Sequence, residues 1–108
     1  MSVLRGIWKG THSKYEYEFD FYEDNRLSTN AFSGWRRLYG PYKIDGNKFH
    51  FKGENGSNTS TGQFVTNING VEAVFEFEVS GKDLMLKRVS TEGTDCIRER
   101  VSVKKAAQ

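Results

Sequence analysis

The sequence predicts an all-β domain, an antiparallel up-and-down run of about nine short strands, on three observations. The segment Tyr15-Glu16-Tyr17-Glu18-Phe19-Asp20-Phe21 alternates aromatic and acidic residues without a break. Such a period of two puts one kind of side chain on each face of a strand, whereas a helix would scatter the rings around its circumference. The same alternation recurs in Lys48-Phe49-His50-Phe51-Lys52 and over residues 71–79, where Ala73, Phe75, Phe77 and Val79 share one face and Glu76 and Glu78 the other. Between these runs lie turn-forming clusters at Glu23-Asp24-Asn25, Asp45-Gly46-Asn47, Asn69-Gly70, Ser80-Gly81-Lys82-Asp83 and Glu92-Gly93-Thr94. Each supplies residues that tolerate positive φ or bond their own backbone, as successive hairpins require.

The remaining strands fall at 4–11, 26–31, 38–44, 63–68, 83–89 and 95–103. Pro41 lies inside one of them and lacks a ladder donor, so it is expected at an edge, bend or bulge. The polar stretch 53–62 reads as an exposed loop and residues 104–108 as a frayed tail. No window has the periodicity of an amphipathic helix, and no repeat or linker divides the chain.

At 108 residues with 36% apolar content, the chain suits one domain with one modest core. Sixteen basic residues against fourteen acidic ones leave a net charge of +2, spread along the sequence. Long-range attraction to nucleic acid or anionic lipid is therefore weak, and neither partner is expected. The single cysteine, Cys96, cannot form an internal disulfide, so the fold rests on packing. No apolar run is long enough for a membrane span, and the opening Met1-Ser2-Val3-Leu4-Arg5 lacks the apolar core of a secretory signal. A cytoplasmic location is the expectation, or a secreted or periplasmic one if a signal peptide was removed. The triplets Asn55-Gly56-Ser57 and Asn58-Thr59-Ser60 match the N-glycosylation pattern, as chance allows in so polar a loop.

Periodicity alone leaves a two-sheet sandwich and a closed barrel both open. Three motifs favour the barrel over the sandwich. Gly6-Ile7-Trp8 has the Gly-x-Trp form that opens lipocalins, and Gly6-Ile7-Trp8-Lys9-Gly10 is followed by the aromatic strand 15–21 and by Tyr42-Lys43-Ile44-Asp45-Gly46-Asn47-Lys48. In this order the chain resembles the small bacterial lipocalin-like domains of the calycin type. The resemblance implies a meander of about eight or nine strands closed into a small barrel, with Arg98 or Arg100 packed over Trp8. The chain is shorter than typical lipocalins and has no disulfide, which speaks against transport of a large lipid.

Chemistry-bearing clusters are sparse. His12 and His50 lie far apart and Cys96 has no local partner, so no metal is expected. His50 alternates with Phe49 and Phe51 and points outward, away from any haem lumen, and no cofactor is expected. No nucleophile elbow or Cys-His pair is present. Glu16, Glu18 and Asp20 fall on the outer face and read as solvated, as do Glu76 and Glu78. Glu99 shares parity with Ile97, Val101 and Val103 and faces inward unless a bulge intervenes. With Tyr15 and Tyr17 it forms either a structural hydrogen-bond network or the polar end of a ligand pocket. Trp35-Arg36-Arg37-Leu38-Tyr39 mixes rings and cations, but the near-neutral charge favours Trp35 as a cover on the barrel mouth with solvated arginines.

The leading functional expectation is a non-enzymatic barrel that binds a small apolar or aromatic molecule through Tyr15, Tyr17, Trp35, Phe51, Phe77 and Glu99, with no catalytic residues. Eight inward rings nearly fill so small a lumen, which confines any cavity to the mouth near Tyr15, Tyr17 and Trp35. The alternatives are a barrel filled by its own side chains that binds a protein partner or a second copy of itself, and an isomerase or cyclase using the mouth.

Overall fold

The computed structural model describes residues 4–12, 14–32, 34–69, 71–89 and 101–105. Among the described residues there are ten strands: β1 (Gly6–His12), β2 (Tyr15–Tyr22), β3 (Arg26–Thr29), β4 (Trp35–Asp45), β5 (Lys48–Lys52), β6 (Asn55–Asn58), β7 (Phe64–Val65), β8 (Glu72–Ser80), β9 (Asp83–Arg88) and β10 (Val101–Lys105). A 3-10 turn spans Glu23–Asn25, and no α-helix occurs among the described residues.

Every strand pairs antiparallel, and the sheet closes through β3–β4 at one seam and β1–β10 at another. Strands β5 and β6 run in line along one side of β4, so the ring is an eight-stranded up-and-down barrel. The connections after β2, β4 and β8 lie at one end, here termed the base. Those after β1, β3 and β6 lie at the other, the rim.

The alternation of rings and carboxylates in β2 is realised as expected at Phe19 and Phe21, which are fully enclosed. They join Trp8, Phe32, Phe49, Phe51 and Phe75 in one cluster with Leu27, Leu38, Leu84, Leu86, Val101 and Val103. Ring contacts knit this interior: Phe49 stacks on Phe75 at 5.1 Å, Phe21 meets Phe49 edge-on at 5.5 Å, and Phe19 meets Phe75 at 6.2 Å. Phe32, carried on the connection after β3, closes the rim side against Phe51 at 5.5 Å and Phe75 at 6.4 Å. Offset and edge-on ring pairs each add stabilisation beyond the area they bury.

Pro41 sits within β4, where its missing donor is harmless. Tyr39 pairs with Asn55 and Tyr42 with Phe51, so the partner strand carries one extra residue opposite Pro41, a bulge. At the same pinch a Cβ on Gly40 would lie 1.8 Å from the Lys52 carbonyl oxygen, so only glycine fits.

Several boundaries differ from expectation. The stretch 53–62 is a loop only in part, because Asn55–Asn58 forms β6 against Trp35–Tyr39 of β4. Its Asn, Gly and Ser have little strand preference, and the ladder to β4 overrides it. For the same reason β4 begins at Trp35 and not at Leu38. Lys104 and Lys105 are also paired in β10, whereas the proposed strand section 95–100 lies outside the described residues.

Candidate functional site

Strand parity determines where the expected ligand residues go. Phe51 is fully enclosed in the core and presents no surface to a ligand. Phe77 is half-buried and packs on Phe49 at 5.9 Å, on the base side of the barrel. Trp35 is half-buried against the core at the rim, its ring close over Gly56. Tyr15 and Tyr17 come together at the rim end of β2, their rings tilted at 4.7 Å, with Tyr15 46% exposed and Tyr17 half-buried. Glu99, Cys96, Arg98 and Arg100 lie outside the described residues.

The Tyr15 hydroxyl donates to the Asn30 carbonyl at 2.8 Å. Asn30 in turn accepts the Glu18 amide at 2.9 Å and donates to the Glu16 carbonyl at 2.9 Å, which locks the rim end of β2 to the connection after β3. Beside this lock a depression of about 360 Å³ is lined by Lys9, Thr11, Glu16, Tyr17, Glu18 and Asn30. A second depression, of about 550 Å³, opens at the base between Arg5, Tyr22, Glu23, Asp24, Asn25 and Lys43. Arg5 there is ion-paired with Glu23.

The outer face of β2–β4 holds a group of residues that read from sequence as solvated. Asp20 is only 6% exposed and Ser28, directly opposite it on β3, is fully buried. Arg37 reaches from β4 across β3, where only the short Ser28 and Asn30 side chains intervene. Its guanidinium donates to Glu18 at 2.5 Å and to Asp20 Oδ2 at 3.0 Å. Lys9 Nζ lies 3.7 Å from the other Glu18 oxygen, and the Tyr22 hydroxyl donates to Asp20 Oδ2 at 3.3 Å. Among the described residues, Asp20 Oδ1 and Ser28 Oγ are buried with no hydrogen-bond partner.

These contacts push the two carboxyls apart in acidity. Burial, reinforced by the hydrogen bond and charge of Glu18, raises Asp20 above the ordinary carboxylate range. Burial acts in the same sense on Glu18, but hydrogen bonds from Arg37 and Asp20 and the charges of Arg37 and Lys9 outweigh it and hold Glu18 low. Parity correctly puts Glu18 and Asp20 outside, yet outside is not wet here: Arg37 and Tyr22 bond to Asp20. Finding this from sequence would require the register across three strands, which no local pattern encodes.

On the opposite wall His50 faces outward and meets Glu72 at 3.0 Å. Among the described residues no cluster of three or more His, Cys, Asp or Glu is placed to hold a metal, and no helix is long and apolar enough to cross a membrane.

No protein-family model, curated protein or solved structure matches the chain.

Proposed function

We propose that this domain is a non-enzymatic binding module of the lipocalin-like kind that holds a compact aromatic molecule at its rim, outside the lumen. The observation that carries this reading is the division of the aromatic residues. Phe19, Phe21, Phe49, Phe51 and Phe75 are buried against one another, while Tyr15 at the rim stays 46% exposed and its half-buried neighbour Tyr17 lines the 360 Å³ depression. The exposed Tyr15 ring offers stacking area at low entropic cost, and Lys9, Glu16 and Asn30 add polar groups that orient a ligand. The lipocalin-like relationship is supported by Gly6-Ile7-Trp8: Trp8 is enclosed near the base and a cation of the last strand lies over its ring.

Titration with indole, small phenols and a fluorescent long-chain fatty acid, read by intrinsic fluorescence, tests this reading. Weak saturable binding of the compact aromatics, lost in Tyr15→Ala, is expected. Tight fatty-acid binding would overturn it, because a solid interior has no room for the chain.

One observation favours a second reading, a domain that binds a protein partner or its own copy. Phe64 is 61% exposed and meets Tyr39 at 6.0 Å on the outer wall. An exposed aromatic pair of this kind suits the centre of an interface. Under this reading a concentration-dependent mass in sedimentation equilibrium disappears in Phe64→Ser.

A further inference from the structure

We propose that Glu18, Asp20 and Arg37 form a proton-operated clasp on the outer wall, which holds the segment after β3 more tightly when the carboxyl pair carries one proton. Asp20 and Arg37 lie outside the rim depression, whereas Glu18, Lys9 and Asn30 also line it. Two carboxyls share one guanidinium at a place where Asp20 is almost closed to water, and Lys9, the second cation of the group, is more exposed and pairs with Glu18. The charged and titratable groups facing Asp20 are few. Glu18 and Tyr22 flank it on β2, Lys9 approaches Glu18 from β1, and Arg37 and Tyr39 reach or face it from β4. Arg26, the cation on β3, is turned to Glu54 at 3.4 Å.

A proton on the carboxyl pair relieves the repulsion between its two members. It also changes Asp20 Oδ1 from an unpartnered acceptor into a donor, set directly across the strand pair from the unpartnered oxygen of Ser28. Buried carboxyl pairs commonly resolve their repulsion by retaining one proton between them. The raised pKa of Asp20 agrees with this arrangement.

The clasp connects to the rim through backbone bonds. Thr29 Oγ1 donates to the Glu18 carbonyl at 2.9 Å and accepts the Ala31 amide at 3.2 Å, and the Glu18 amide is held by Asn30. The next residue, Phe32, closes the core. Loss of the proton therefore weakens the hold of β2 on the segment that carries this ring.

Two measurements test the clasp. The first follows the Asp20 side-chain carboxyl by carbon NMR in the unmodified protein, where titration above the ordinary aspartate value is expected. The second follows hydrogen exchange of the Glu18 and Ala31 amides from about pH 4 to about pH 8, corrected for intrinsic rates. Protection is expected to fall as pH rises, about tenfold for each unit by which the proton is held above the ordinary range. In Asp20→Asn, which carries a permanent donor, the fall is expected to vanish. Titration of Asp20 at or below the ordinary value, or identical pH profiles in the two proteins, would overturn the proposal.

Discussion

Lys105 of the last strand places its ammonium 5.5 Å from the centre of the Trp8 ring, and its stem runs past Gly6 so closely that a Cβ there would lie 2.7 Å from Lys105 Cε. A lysine two strand-repeats beyond Val101, on the same face as Val101 and Val103, thus covers the tryptophan from the cation side. Trp8 also donates its indole N–H to the Leu4 carbonyl at 2.8 Å, so the ring is both enclosed and satisfied. Trp8→Ala is expected to cost about 3 to 5 kcal/mol. Lys105→Met, which keeps the stem, should cost well under half of that, as read from denaturant midpoints at constant slope. An unchanged midpoint for Trp8→Ala would mean that the ring is not part of the core.

Gly40→Ala is expected to destabilise by at least about 3 kcal/mol, because the new methyl meets the Lys52 backbone, which cannot swing aside as a side chain can. Gly46→Ala provides the comparison, since a methyl there meets nothing and only its positive φ opposes it. Equal thermal midpoints for the two variants would contradict the pinch at the β4 bulge.

Tyr42 is 3% exposed and its hydroxyl has no partner among the described residues, although its ring packs on Phe21 and Phe49. Tyr42→Phe keeps the ring contacts and removes a buried unsatisfied group, so stability is expected to rise by about 1 kcal/mol. A loss of stability in equilibrium unfolding would show that the hydroxyl is bonded in solution.

The outer-wall carboxyls give stability a defined dependence on pH. Asp20 titrates above its ordinary 3.8, so its contribution is complete below that value and is lost as pH rises through the raised one. Glu18 titrates below its ordinary 4.5, so its contribution is complete above that value and is lost as pH falls through the lowered one. The cluster therefore stabilises most in the mildly acidic range and less toward neutrality. Asp20→Asn should remove the decline toward neutrality and raise the urea midpoint at neutral pH. A neutral-pH midpoint lower than that of the parent would contradict the sign.

Sequence and structure agree most where one strand face is buried. In β2, β5 and β8 the period of two names the enclosed rings directly, and Gly6-Ile7-Trp8 with the tyrosine strand led to a closed barrel. What was not legible depends on pairing. Asn55–Asn58 carries no strand signal of its own and is ordered by the backbone of β4. Arg37 and Asp20 look like surface residues until the register sets them two strands apart across a serine. Alternation assigns a side chain to a face, and only the neighbouring strands decide whether that face is wet.

The most direct test of ligand binding at the rim over a solid interior is amide chemical-shift mapping with indole as the probe. Shifts are expected to concentrate at Tyr15, Tyr17, Thr11 and Asn30 and to leave Phe49, Phe51 and Phe75 unmoved. Shifts centred on those three phenylalanines would place the ligand in the lumen and contradict the filled barrel.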